Sequence, residues 1–470
     1  MRRVIISCLA AVVITLSLVI TFHRPAQPFP DHAWFHTLTS SYQPPIRSSN
    51  PANACADPYA LPGILQVNAT HLHENRWIPF AHGCEAPRLV DALLNGTGDM
   101  DWARNRTVVV FGDSVARENV AYFCELFDAK LDRITWDHAY APSPVPSHTP
   151  PPLALAVSAT PTPRDPDADP DLAGNWKAKQ NIGNGDQTHL AHVCFVDRFG
   201  LLLVQQFQYG MDQEDVSVIH IALTRLLTGE VSRYAVLGIQ GTFEDRLQAL
   251  VHPIVHNAMR ALQPTSEPDL VMLNSALWDT ARWVREDMRF ARDLDAGLTR
   301  ERLDWYRARI QQVVLAVAKV YPQAAISWVT NHYPTANGPS DWFTAGVPVT
   351  TSGKGKSGAR PGNTVLRLTQ LDAAVRSAFT ARWRPCIDTT CTLHEDTLRH
   401  VRLNEWGRIM LGQEKHMKDA LHQALIPGGR LWADMMLYDL WRAVDQPGRG
   451  QVSAGSSGAG EEVAGRWRRI

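Results

Sequence analysis

Four short runs of mainly apolar residues stand out along the chain: Thr107–Phe111 (TVVVF), Leu201–Phe207 (LLLVQQF), Leu270–Leu273 and Ala325–Thr330 (AISWVT). Runs of this length without polar alternation are the pattern of strands covered on both faces. Helical spacing separates them. Val120, Phe123, Cys124 and Phe127 fall at i, i+3, i+4 and i+7, and Leu303, Tyr306, Ile310, Val313, Val314 and Val317 form a longer stripe. Residues 364–383 (TVLRLTQLDAAVRSAFTARW) also read as helix. Strands alternating with helices predict an α/β fold, a parallel sheet between two helical layers. In such sheets ligands bind at the carboxyl ends of the strands. Chemistry is therefore expected just after Phe111, Phe207, Leu273 and Thr330.

A fifth apolar run is of another kind. Arg2 and Arg3 precede Val4–Phe22, nineteen residues without a charge. That length just spans a bilayer as a helix and exceeds the usual core of a cleaved signal. Residues 1–23 read as a cytosolic tip and signal-anchor helix, with the arginine pair cytosolic and the rest luminal. A short span suits the thin Golgi or ER membrane, which makes a single-pass type II protein. A cleaved signal and a secreted protein are the alternative. Residues 24–54 carry six prolines and read as a stem. Residues 142–171, rich in Pro and Asp, read as an insertion within a domain at 55–445, because proline breaks both helix and strand. The tail, 446–470, is rich in Gly, Ser and Glu and is expected to be disordered.

The cysteines suit a luminal compartment. Of seven, Cys8 lies in the apolar run; Cys55, Cys84, Cys124, Cys194, Cys386 and Cys391 remain. An even luminal set implies disulfides, with 15 possible connectivities, and Cys386 and Cys391 are close enough for a local loop. Asn68, Asn95 and Asn105 head glycosylation sequons. No C-x-x-C or H-E-x-x-H occurs, so no metal site is expected. Lys plus Arg is 46 and Asp plus Glu is 47, a net charge of −1. Such a balance provides no global field for a polyanion, so nucleic acid is not an expected partner.

The first strand leads into Phe111-Gly112-Asp113-Ser114 and then a helix. A serine at a strand-to-helix turn suits a nucleophile, and the helix start aims N–H groups at developing negative charge. Gly, Asp and Ser are also ordinary turn and N-cap residues. After the third strand Asn274 offers an amide that can donate to an oxyanion; loop asparagines also bond their own backbone. After the second strand comes Gly210, with Gly241 as a rival for a close backbone approach. Toward the end, Asp419 and His422 stand three apart, a spacing that can orient an imidazole toward a serine. The same spacing occurs at Asp186 and His189, and Asp396 and His400 are another pair.

These blocks resemble one superfamily. FGDSVARENV (Phe111–Val120) is similar to the GDS block of SGNH hydrolases, in particular the PC-esterase branch. That branch includes the trichome-birefringence-like plant polysaccharide O-acetyltransferases and fungal capsule O-acetyltransferases. KDALHQALIPGGRLWADMMLYDLW (Lys418–Trp441) resembles its closing block, and RWIPFAHGCEAP (Arg76–Pro87) its lead-in. The likeness covers roughly Cys55 to Ala443. It implies a three-layer α/β/α SGNH-like sheet, with Ser114 as nucleophile, His422 as base and Asp419 as its partner. Gly210 and Asn274 would join the Ser114 N–H in the oxyanion hole. The third block reads NSALWD where the family pattern is G-x-N-D.

The function this implies is O-acetylation of a polysaccharide or glycan through an acyl-serine. An acetyl donor, by default acetyl-CoA, would be a co-substrate, with no bound cofactor. A carbohydrate or lipid esterase needs the same residues, and a non-catalytic glycan-binding module is the third reading. Arg117, Trp278 and Trp432 lie nearest the motifs and are candidate substrate contacts, although most tryptophans are core.

Overall fold

The computed structural model describes residues 55–142, 191–211, 243–334, 364–379 and 397–445, apart from positions 56, 69, 72, 73, 98, 99, 136, 137, 209, 295 and 420. The expected anchor, stem, proline-rich insertion beyond Pro142 and tail lie outside them, as do Asp186, His189, Gly241, Cys386, Cys391 and Asp396. No helix among the described residues is long and apolar enough to cross a membrane.

Two strands, β1 (Gly63–Gln66) and β2 (Arg76–Pro79), form an antiparallel ribbon. The main sheet contains β3 (Thr107–Gly112), β4 (Leu131–Ile134), β5 (Ala191–Val196), β6 (Leu201–Phe207), β7 (Leu270–Leu273), β8 (Ala325–Val329) and β9 (Arg402–Asn404), in the order β4-β5-β6-β3-β7-β8-β9. The helices are α1 (Leu89–Asn95), α2 (Ser114–Leu126), α3 (Phe243–Arg246), α4 (His252–Leu262), α5 (Leu277–Arg289), α6 (Arg300–Val320), α7 (Thr364–Ala378), α8 (Trp406–Ile409) and α9 (Arg430–Asp445). The four apolar runs are β3, β6, β7 and β8. They and β9 are mutually parallel.

All six residues of β3 are buried. Side chains alternate across a strand, so a wholly buried strand is covered on both faces. Each such valine contributes about 1.5–3 kcal/mol by leaving water. The mixed α/β architecture thus follows the apolar pattern, with one correction. Strand β5 runs antiparallel to both β4 and β6, so the sheet is mostly rather than wholly parallel. Its sequence, AHVCFV, hides the strand signal because a histidine occupies a buried position; His192 Nδ1 meets Gln205 Oε1 at 3.0 Å.

The topology places the site. From β3 the chain proceeds to β6 on one side and later to β7 on the other. A crevice opens where such connections diverge, outside the carboxyl end of the first strand. Helix α9 is pinned beneath the sheet by Asp439, which is buried and accepts from Ser327 Oγ and Asn404 Nδ2, both at 2.8 Å. It also packs on α1 and α2. Among the described residues two disulfides, Cys55–Cys84 and Cys124–Cys194, are present. The second ties α2 to β5.

Candidate active site

Ser114 is the first residue of α2, directly beyond β3. Asp113 caps the helix, its Oδ1 accepting from Val115 N at 2.9 Å. Gly112 permits the sharp turn by close approach: a Cβ there would meet Ala116 Cβ at 2.5 Å and Asn274 Cβ at 3.5 Å. Burial raises the Asp113 carboxyl to about 6, against the opposing effects of the Val115 N–H, His422 and Arg117. Its Oδ2 is buried without a hydrogen-bond partner among the described residues.

Asp419 and His422 lie on a tight turn in which Lys418 N and Asp419 N both donate to His422 O. Asp419 Oδ1 accepts from Leu421 N at 2.8 Å and His422 N at 2.9 Å. The imidazole Nδ1 lies 2.9–3.0 Å from the two carboxylate oxygens, and Nε2 lies 2.8 Å from Ser114 Oγ. With Nδ1–H donated to the carboxylate, Nε2 is left to accept the serine hydroxyl. Partial burial works upward on the Asp419 carboxyl, but the N–H groups of Leu421 and His422 and the imidazole outweigh it. They hold the group below the usual carboxylate range.

Helix α2 carries the serine and also grips this turn. Glu118 pairs with Lys418 Nζ at 2.8 Å, Tyr122 OH donates to Gln423 O at 3.1 Å, and Asn119 Oδ1 accepts from Gln423 Nε2. From the far side, His332 Nε2 donates to Leu421 O at 2.6 Å. Burial drives the His332 imidazole down to about 4, so it stays neutral and acts as a fixed donor. The strand end after Thr330, where the apolar pattern places chemistry without pointing to a residue, is occupied by the Asn331-His332 pair.

Gly210, beyond β6, has φ +84°, a left-handed conformation that glycine adopts readily. Gln208 N bonds Gly112 O at 2.8 Å, keeping the ends of β6 and β3 together. Asn274 stands against Gly112, but its Nδ2 donates to Val329 O at 2.9 Å and Asn331 Oδ1 at 3.1 Å. Both of its hydrogens are thus engaged internally. Donation to an oxyanion would require one of them to be released.

Arg117 lies 5.7 Å from the Phe207 ring centroid, and Phe207 meets Trp278 edge-on at 6.3 Å. Arg117 and Trp278 therefore share one half-buried wall beside the serine. Trp432 does not join it. It is only 2% exposed, a core position whose ring no sugar can stack on while α9 stays packed. Of the sequon residues, Asn95 and Asn105 are exposed and Asn68 is half-buried with its Nδ2 on Glu74 at 2.7 Å. Asn105 precedes β3, at the sheet end opposite Ser114. His400 is exposed. Among the described residues no group of three or more His, Cys, Asp or Glu side chains is arranged to hold a metal ion.

No family model matches the chain, and no curated protein matches it. Among solved structures it is similar to a mutant of Axe2, an acetyl-xylooligosaccharide esterase from Geobacillus Stearmophilus. The identity is 10% and the TM-score 0.27, over 73% of this chain and 96% of that one.

Proposed function

We propose that this chain is a serine-dependent acyltransferase that O-acetylates a polysaccharide or other glycan, held in the Golgi or ER lumen by residues 1–23. One observation carries the reading: the continuous hydrogen-bond line from Asp419 through His422 to Ser114 Oγ. His422 Nε2 takes the hydroxyl proton as Ser114 Oγ attacks the acetyl carbonyl, and Asp419 stabilises the imidazolium. The tetrahedral oxyanion forms beside the Ser114 and Gly210 N–H groups, with Asn274 as a third candidate donor. The intermediate collapses, and the departing group of the donor, by default acetyl-CoA, receives the proton from His422. A sugar hydroxyl then gives its proton to His422 and attacks the acyl-serine. The acetyl–Oγ bond breaks and Ser114 regains its proton. The wall of Arg117, Phe207 and Trp278 is the surface we assign to the glycan acceptor, since aromatic faces suit sugar rings.

Hydrolysis is the second reading, and a specific feature favours it. The Asp419 side chain is 49% exposed and that of His422 19%, so water has access to the relay. Transfer needs water kept from the acyl-serine until the sugar arrives.

Intact-mass analysis of the full chain, incubated with an activated acetyl ester with and without oligosaccharide, tests this. Acetyl on Ser114 that passes to sugar, and is lost in Ser114→Ala, supports the transferase. Acetyl released only to water supports the esterase. Absence of label at Ser114 with either an activated ester or acetyl-CoA returns the chain to a glycan-binding role.

A further inference from the structure

A second carboxylate near the serine takes no part in the relay. Asp279, in the first turn of α5, is fully buried. Its Oδ2 accepts the Ser275 hydroxyl at 2.5 Å, and its Oδ1 accepts Met211 N at 2.8 Å and the Arg282 guanidinium at 3.2 Å. Arg282 also donates to Met211 O at 2.9 Å. The peptide groups flanking Met211 are therefore gripped on both sides, the N–H by the carboxylate and the C=O by the guanidinium. Gly210 lies directly against the same carboxylate: a Cβ on it would meet Asp279 Oδ1 at 2.9 Å. Its carbonyl is held by Gln208 Nε2 at 2.6 Å.

One group in this turn is left over among the described residues. Gly210 is a buried residue, yet its N–H has no acceptor among the described residues, while its own carbonyl and both polar groups of Met211 are bonded. A backbone donor with no acceptor among these residues is available to charge that develops in the crevice. The turn follows β6, the strand hydrogen-bonded alongside β3, so it leaves the sheet at the same end as Ser114.

Asp279 also reaches the other side of the crevice. The carbonyl of Ser275, whose hydroxyl it holds, accepts from Tyr306 OH at 2.7 Å and from Asn331 Nδ2 at 3.0 Å. Asn331 Oδ1 in turn accepts from Asn274 Nδ2. One buried carboxylate thus joins the turns after β6 and β7.

We propose that Asp279 is a positioning residue that presents the Gly210 N–H to the oxyanion formed at Ser114 and, through Ser275 and Asn331, orients Asn274. This rests on the acyl-serine reading above. Asp279 touches no reacting atom. It holds the donors in place before charge develops, which is where such donors gain their effect.

The test compares wild type, Asp279→Ala, Asp279→Asn, Ser275→Ala and Ser114→Ala in turnover of 4-nitrophenyl acetate by the full chain, per folded molecule. Asp279→Ala is expected to lose about 10²–10³-fold in kcat, the scale of removing one oxyanion donor. KM and the shape of the pH–rate profile should be kept, because the His422–Asp419 pair is untouched. Asp279→Asn can still accept from Met211 N and bond Ser275, so it should recover much of the loss. Where Asp279→Ala fails to fold, Asp279→Asn and Ser275→Ala decide, each expected to lower kcat alone. Wild-type kcat in both of these would overturn the proposal, as would a loss shared with a displaced pH profile, which would place Asp279 in the base. If wild type and Ser114→Ala are equally inactive, the acyl-serine reading itself falls and the proposal with it.

Discussion

His422 Nε2 lies 2.8 Å from Ser114 Oγ although the two residues are 308 positions apart. The contact is set by a single helix. Glu118, Asn119 and Tyr122 lie within the first nine residues of α2, which Ser114 begins, and each holds part of the turn that carries His422. Movement of that turn relative to the serine would break bonds from the serine's own helix. His332 and the Trp406 Nε1 bond to Gly428 O, 3.0 Å, close the loop from the opposite side.

Replacing Asp419 by Asn keeps the shape of the turn, because the amide oxygen can still accept from Leu421 N and His422 N. It removes the charge that stabilises the imidazolium and sets the tautomer. Acyl turnover should fall about 10²–10⁴-fold, while stability changes little at this exposed position. Stopped-flow acylation and calorimetry on the same samples check both halves. The native carboxyl sits below its ordinary range, so its stabilising share is present above that range and disappears as pH falls through the native value. The small stability difference between wild type and variant should therefore close in acid.

Gly210→Ala places a side chain at φ +84° and against Asp279. The backbone conformation alone costs about 1–2 kcal/mol for an L-residue. If the turn relaxes to relieve the contact, the N–H donor moves with it. Turnover is expected to drop about 10²-fold with acetyl ester KM little changed. An alanine variant with wild-type kcat would remove Gly210 from the oxyanion site.

His332 provides a pH-dependent term with a definite sign. Its imidazole titrates near 6.5 when unfolded and at about 4 in the fold, owing to burial. The unfolded chain therefore binds the proton first as pH falls. Stability from the neutral buried ring is complete above 6.5 and declines between 6.5 and 4, by up to about 3 kcal/mol. Buried Asp113, at about 6, and Asp372 and Asp434, at about 7, act with the opposite sign, favouring the fold at low pH. Those groups are common to wild type and His332→Gln, so the difference between their urea midpoints isolates the histidine. That difference should shift in favour of the variant below pH 6.5; a flat difference would contradict the assignment.

The Cys124–Cys194 bond closes 70 residues of sequence separation between α2 and β5. Its loss in the Cys124→Ala/Cys194→Ala pair should cost about 2–4 kcal/mol. Activity per folded molecule should be kept, because Cys124 lies near the end of α2 remote from Ser114. Denaturant titration followed by acyl turnover separates the two effects.

Much of this was readable along the chain because the signals are local. The β3, β6, β7 and β8 runs show as strands since burial on both faces leaves no room for polar alternation. The FGDS turn shows because a strand-to-helix reversal needs its glycine and its capping aspartate. The antiparallel side of the sheet did not show. β5 contains a buried histidine bonded to Gln205 on the neighbouring strand, a partner outside any local window. Trp432 misled for a related reason: proximity to a motif in sequence did not place its ring at the surface. Asp279, Asn331 and His332 sit in unremarkable runs, and their roles come from partners on other elements.

Composition, apolar periodicity and turn chemistry are properties of neighbouring residues. They suffice for an α/β chain with a serine at the end of its first sheet strand and a histidine–carboxylate turn near its close. Distance between remote residues is not such a property. Only the packed structure decides that α2 brings Ser114 and His422 into contact, that Asn274 spends its hydrogens on Val329 and Asn331, and that a buried carboxylate holds the turn of Gly210. Each depends on which strands lie side by side, and that order is set by the whole core at once.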